Sequence, residues 1–217
     1  NNSLQSSREV SLLDIPSVKI MNPLSDNMDQ LRTSLIPGLL KTADFNVKNG
    51  EPDLMLYEWG NVFEQENPGM AGIIEKLQLT GMIHGLLHGE SVHRKKKRSA
   101  SFFALKGVIE SFLSRLQIQN ILIKPNKDND YGFQNAFSVE VKGNIIGYFG
   151  DISHQFVSGM NLDIGQSFGF QFDLNTLLVL TDKTVKYIPI VNYPAVERDL
   201  NFVVKENTFV GDIVSTI

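Results

Sequence analysis

The sequence predicts an α+β fold, a largely antiparallel sheet flanked by helices, and three observations predict it. Residues 36–47 and 102–117 repeat apolar side chains at three- and four-residue spacing, the period of a helix with one buried face. Shorter apolar runs at 54–63, 76–89, 120–124 and 168–172 are bounded by turn residues, as strands are. Residues 136–141 and 145–149 stand on either side of a Lys-Gly-Asn turn, which reads as a hairpin between antiparallel neighbours.

Taken in order, the polar opening of the chain runs into a strand or turn over 10–15, and 14–21 reads as extended. Asn22-Pro23 marks a turn, because proline disfavours helix at the residue before it. Ser25 or Asp26 is placed to cap a short helical turn. Ser34 is the expected N-cap of the first long helix, with Pro37 accommodated in its first turn. Ile36, Leu39, Leu40, Ala43 and Val47 form its apolar face, and Asn49-Gly50 stops it. Asn67-Pro68-Gly69 separates the next two strands. A basic loop over 93–101 leads into the second long helix, whose face is Phe102, Leu105, Ile109, Phe112, Leu113 and Leu116. A polar loop at 126–130 precedes the hairpin. In the last strand Phe168, Phe170 and Phe172 share a face, and Asp173 or Asn175 caps the helix through Leu180. Val210, Ile213, Val214 and Ile217 begin another amphipathic helix without a stop signal, so the chain is expected to be a fragment of a longer polypeptide.

Composition excludes several function classes. With 217 residues, 42% hydrophobic and 20% charged, the chain can bury a core. A net charge of -4 argues against binding nucleic acid over the whole surface and leaves room for a local basic patch. The absence of cysteine removes disulfides and thiolate metal sites. No apolar run approaches the ~20 residues of a membrane-spanning helix. The expected setting is soluble and cytoplasmic, with no membrane and no DNA as partners.

The strings NPLS, LRTSLIPGLL, YEWGNVF, FFALKGVIESFL, IIGYFGDISH and NYPAVERDLNF occur in this order along nearly the whole chain. Together they resemble the β-subunit of bacterial phenylalanyl-tRNA synthetase. The resemblance implies a class II aminoacyl-tRNA synthetase-like core over 1–182. It further implies that 183–217 is the truncated start of a ferredoxin-like anticodon-binding domain, with YPAVERDL at its opening. Where the family commonly has G-x-x-G-E-x-H-P, this chain departs, reading Gly147-Tyr148-Phe149-Gly150-Asp151-Ile152-Ser153-His154-Gln155.

Adenylate formation builds negative charge on phosphorus and needs preorganised cations. Active class II cores supply one arginine from an F-R-x-E strand and another from a glycine-rich strand leading into a helix. Here the first reads Phe63-Glu64-Gln65-Glu66 and the second, 165–176, contains Asp173 and no arginine. A carboxylate in the first slot repels phosphate. No catalytic residue is therefore expected here.

Other candidates carry a plainer reading beside the functional one. Glu58, Glu64 and Glu66 are either an acid/base or magnesium set or, more commonly for such positions, solvated strand-end charges. His84, His88 and His93 lack the second ligand cluster that makes a zinc motif. His154 reads as a structural hydrogen-bonding residue. Arg94, Lys95, Lys96, Lys97 and Arg98 are the RNA-binding candidates, against the reading of a solvated loop. Asn22, Pro23, Arg32 and Pro37 are candidates for core or subunit-interface support, with Arg32 as an ion-pair partner.

The resemblance implies a β-subunit that pairs with an α-subunit in an (αβ)2 heterotetramer charging tRNA with phenylalanine. ATP and magnesium serve the holoenzyme and no cofactor is expected in this stretch; the family's editing and β-subunit magnesium sites lie elsewhere. The alternatives are a stand-alone RNA-binding or scaffold module and an active adenylate-forming enzyme.

Overall fold

The computed structural model describes residues 4–13, 15–23, 25, 28–88, 98–126, 132–181, 193, 196–206, 208 and 210–216. The chain divides into two compact units, Asn1–Asp182 and Lys183–Ile217.

In the first unit the elements run β1 (Leu4–Gln5), α1 (Ser7–Ser11), β2 (Gln30–Leu31), α2 (Ile36–Lys48), β3 (Leu54–Gln65), β4 (Ile73–His84), β5 (Leu86–His88) and β6 (Arg98–Ser99). They continue through α3 (Phe102–Arg115), β7 (Ile121–Pro125), β8 (Phe133–Val141), β9 (Asn144–Ile152), α4 (His154–Gly159), β10 (Ser167–Asp173) and α5 (Leu174–Leu180). In the second unit, α6 (Val210–Thr216) is the sole regular element among the described residues.

Six strands form one sheet in the order β3-β4-β10-β9-β8-β7, every neighbouring pair antiparallel. Alternation along the strands splits the core in two. On one face Ile83, Phe149, Phe168 and Phe172 pack against Leu105, Ile109 and Leu113 of α3 and Leu177 of α5. On the other, Met82, Phe133 and Ile152 pack against Ile36, Leu39, Leu40 and Ala43 of α2 and Phe156 and Val157 of α4. The two helical faces expected from sequence are the ones buried here.

The hairpin closes through Lys142 and Gly143, both at positive φ (51° and 81°), with Val141 opposite Asn144. Two residues at positive φ twist in the sense of the flanking strands, which is why a two-residue turn suffices. Asp173 caps α5 by accepting from the Thr176 N–H at 2.9 Å.

Three local expectations need correction. The segment after the polar start is helical: Ser6 caps α1, whose first-turn Glu9 N–H reaches the Ser6 Oγ at 3.4 Å, and a turn follows only at Leu12 and Leu13. The N-cap residue of α2 is Leu35, not Ser34; the Ser34 Oγ accepts instead from the Ile36 N–H at 3.2 Å. The run over 76–89 is not one strand. It breaks at Gly85, whose φ of +71° and close approach to the Pro52 carbonyl, 2.3 Å from where a Cβ would sit, admit only glycine.

Candidate functional site: the polar face of the sheet

The face of the sheet that packs against α2 carries Glu58, Gly60 and Glu64 of β3, Lys76, Gln78 and Thr80 of β4, and Gln171 and Asp173 of β10. Strand register sets this: Glu58 lies opposite Thr80, Thr80 opposite Gln171 and Gln78 opposite Asp173. Residues two apart on a strand share a face, so these side chains project together.

The centre of this face is filled. Ser34, just before α2, donates from Oγ to the Gln171 Oε1 at 3.3 Å. Gln5 of β1 donates to the Ser34 carbonyl at 2.9 Å and accepts from the Thr33 N–H at 3.2 Å. Gln78 accepts from both the Leu35 N–H and the Thr80 Oγ1 at 3.2 Å. Gln5, Ser34, Thr80 and Gln171 are all buried. The chain entering α2 thus satisfies the polar groups at the centre of the sheet face, while Gln5 and Ser34 also border a cavity beside α2.

Each charge on the face has a partner. Arg32 is only 8% exposed. Its Nε donates to the Asn61 carbonyl at 2.7 Å and its Nη1 to the Glu58 Oε1 at 2.9 Å. Gly60 makes room for it, since a Cβ there would fall 2.3 Å from Nη2. Glu64 binds the Lys76 ammonium at 2.6 Å. Glu9 of α1 pairs with Lys41 of α2. A cavity of about 310 Å³ beside α2 is lined by Glu9, Lys41, Arg32 and Glu58, two anions and two cations already matched. It offers no surplus positive charge of the kind that a triphosphate requires.

The sequence-predicted residues fall as follows. Glu64 and Asp173 do not share a cleft: by register they are four residues and two strand spacings apart, about 16 Å. Glu58 and Glu64 lie six residues apart along one face and hold different cations, and Glu66 is exposed, so they form no common acid/base or metal set. His84 is buried, with Nδ1 3.1 Å from the Gln166 carbonyl and 3.0 Å from the Ser167 Oγ. His93 and the side chain of His88 lie outside the described residues. Among the described residues no group of three His, Cys, Asp or Glu is placed to hold a metal ion. His154 opens α4, its ring Nδ1 3.2 Å from the Ser158 Oγ. Pro37 is buried in the first turn of α2, whereas Asn22 and Pro23 are exposed at a bend. Of the basic run, Arg94, Lys95, Lys96 and Lys97 lie outside the described residues; Arg98 is exposed and pairs in register with His88.

Sequence reasoning missed Gln5, Ser34 and Gln171 as a unit. Asp44 was missed as well: it accepts from Lys48 Nζ at 2.7 Å and from the Asp163 N–H at 3.0 Å, tying α2 to the segment before β10. The Lys48 hydrogen bond, opposed by burial and aided by the Asp163 N–H, holds its carboxyl below the ordinary aspartate value.

Comparison with known proteins joins this geometry to a lineage. The pyrrolysyl-tRNA synthetase of Desulfitobacterium hafniense superposes with a TM-score of 0.60 over 82% of this chain and 58% of its own, at 14% sequence identity, so the likeness is one of fold. The phenylalanine–tRNA ligase beta subunit of Listeria monocytogenes serotype 4b is 32% identical over 207 residues, and that of Halalkalibacterium halodurans 27% identical over 208. These alignments cover 95% and 94% of this chain and 25% of each relative, so the chain spans about a quarter of the length of the curated relatives it matches. Among the described residues no helix is long and apolar enough to cross a membrane. Residues 1–174 match the family model described as the phenylalanyl tRNA synthetase beta chain CLM domain, and the chain belongs to that family.

Proposed function

We propose that this chain is a non-catalytic, synthetase-like module of the β-subunit of a cytoplasmic phenylalanine–tRNA ligase. Residues 1–182 are its class II-like core, and 183–217 begin a ferredoxin-like anticodon-binding domain. The β-subunit pairs with an α-subunit in an (αβ)2 assembly, and the α-subunit carries the ATP- and magnesium-dependent joining of phenylalanine to tRNA. The basic run from Arg94 to Arg98 adds salt-dependent affinity for tRNA phosphates.

One observation carries the non-catalytic reading: the buried Ser34–Gln171 contact fills the centre of the sheet face on which adenylate chemistry would need open space, and the cavity beside it has its cations already paired. Arg32, the one arginine on that face among the described residues, already holds Glu58 and the Asn61 carbonyl.

The test is a mixing experiment with the chain, the cognate α-subunit and the two together. Expected are a stable complex, phenylalanine-dependent ATP–pyrophosphate exchange only where the α-subunit is present, and tRNA binding that weakens on charge reversal of residues 94–98. Exchange by the chain alone would restore the active-enzyme alternative. Tight tRNA binding by the chain without complex formation would restore the stand-alone RNA-binding alternative.

A further inference from the structure

Glu9 of α1 is 8% exposed, and its carboxylate is half used. One oxygen holds the Lys41 ammonium; the other, Oε2, is buried and has no hydrogen-bond partner among the described residues. A buried acceptor left without a donor is costly, and native structures keep few unless a bound group satisfies them. Glu9 stands on the wall of the cavity of about 310 Å³ beside α2. That volume is about ten times the ~30 Å³ that one water takes in the liquid, and it lies at the lower end of the range of small-molecule pockets.

The rest of the wall supplies complementary groups. Lys41 spends one of its three N–H donors on Glu9, and its side chain is half exposed at the cavity. Gly38, in the first turn of α2, lines the same space, and among the described residues its N–H has no acceptor. A helix start of this kind favours negative charge. Glu58 gives Oε1 to Arg32, while its Oε2 lies 3.7 Å from where a Cβ on Gly38 would stand. Leu4 and Leu35 add an apolar wall.

We propose that this cavity binds a free α-amino acid, its ammonium on the Glu9 Oε2 and its carboxylate on Lys41 and the Gly38 N–H. The unmet Glu9 oxygen calls for a donor, and an ammonium is the strongest one a small molecule offers. Two carboxylates and two cations already balance on the wall, so a lone cation would leave surplus charge in a largely enclosed space, whereas a zwitterion adds none. Glu9 and Lys41 touch, so the two ligand groups that meet them must also be neighbours, as they are on a single α-carbon. The ligand's side chain lies against Leu4 and Leu35. This site needs no phosphate-binding cation, so it is compatible with a face that has lost adenylate chemistry, and it stands apart from the partnership advanced under Proposed function.

The experiment is hydrogen exchange on the full-length β-subunit with each common amino acid in turn at millimolar concentration. The peptides read are those over residues 4–12 and 35–42, which separates this cavity from any other site of the protein. At least one amino acid is expected to slow exchange saturably in both peptides, while its N-acetyl and amide derivatives, each lacking one charge, do not. Glu9→Gln, of nearly equal shape, is expected to weaken that binding about tenfold or more, as loss of a charge-assisted hydrogen bond does. Gly38→Ala suits a helix and meets Glu58 at ordinary contact distance, so its unfolding midpoint is expected to hold or rise while binding is lost. No response to any amino acid would overturn the inference and leave the cavity to water or to the protein's own polypeptide. A response that does not saturate would mark an adventitious additive only and would overturn it as well. Equal binding of either derivative, or normal binding by Gly38→Ala, would overturn the assignment of the two charges. None of these outcomes bears on α-subunit binding.

Discussion

Replacing Arg32 with alanine separates a structural arginine from a substrate ligand. The substitution removes at least the charge-assisted hydrogen bonds to the Asn61 carbonyl and to Glu58. Each such bond contributes about 1.5–3 kcal/mol. The Glu58 side chain is 31% exposed, so water recovers part of its share and the pair is discounted accordingly. The net cost comes to about 3 kcal/mol. For a unit of this length that lowers Tm by about 9 °C, at roughly 3 °C per kcal/mol. Arg32→Lys keeps a charge and loses the fork that reaches two acceptors, so it costs about half as much. Gly60→Ala, which pushes a methyl group against Nη2, is expected to reproduce part of the loss. The assay is urea unfolding, with a shifted midpoint at unchanged m-value. A double-mutant cycle of Arg32→Ala with Glu58→Ala is expected to give a coupling of about 1–2 kcal/mol. An Arg32→Ala loss below about 1 kcal/mol, or a coupling of zero, would refute the reasoning.

Three further outcomes follow from the same geometry. Gln171→Ala strands the Ser34 hydroxyl and opens a small cavity, and is expected to cost about 2 kcal/mol in urea unfolding. Asp173→Ala removes the cap of α5 and should cost about 1 kcal/mol, with faster exchange at Thr176. Asp44 has a folded-state pKa below its unfolded value, so its stabilisation is present above the unfolded value near 3.9 and is lost as pH falls through the folded one. Wild type is therefore expected to exceed Asp44→Asn in stability at neutral pH, the gap closing below pH about 4; a gap that persists in acid would contradict it.

The fold was largely legible because its main signals are local. The faces of α2 and α3 follow from apolar spacing, the hairpin from Lys142-Gly143, and the α5 cap from Asp173 just ahead of an apolar run. The missed elements lacked such signals. α1 has five residues, too few to show a period, and the break at Gly85 depends on a close contact with Pro52 that composition does not reveal. The missing arginines could be read directly, but what occupies their face could not. Gln5, Ser34 and Gln171 meet across separations of 29 and 137 residues, and no spacing rule joins them. The likeness to a synthetase was carried by short strings in order, while the state of the site depended on tertiary contacts.

Titration of magnesium–ATP into the purified chain, followed calorimetrically, tests the central claim most directly. A face whose centre is filled by Ser34 and Gln171, with its cations paired, predicts no saturable heat up to millimolar nucleotide, and the proposed complex with an α-subunit is expected to bind under the same conditions. Saturable binding by the chain alone, weakened by substitution at Gln171 or Arg32, would contradict the account.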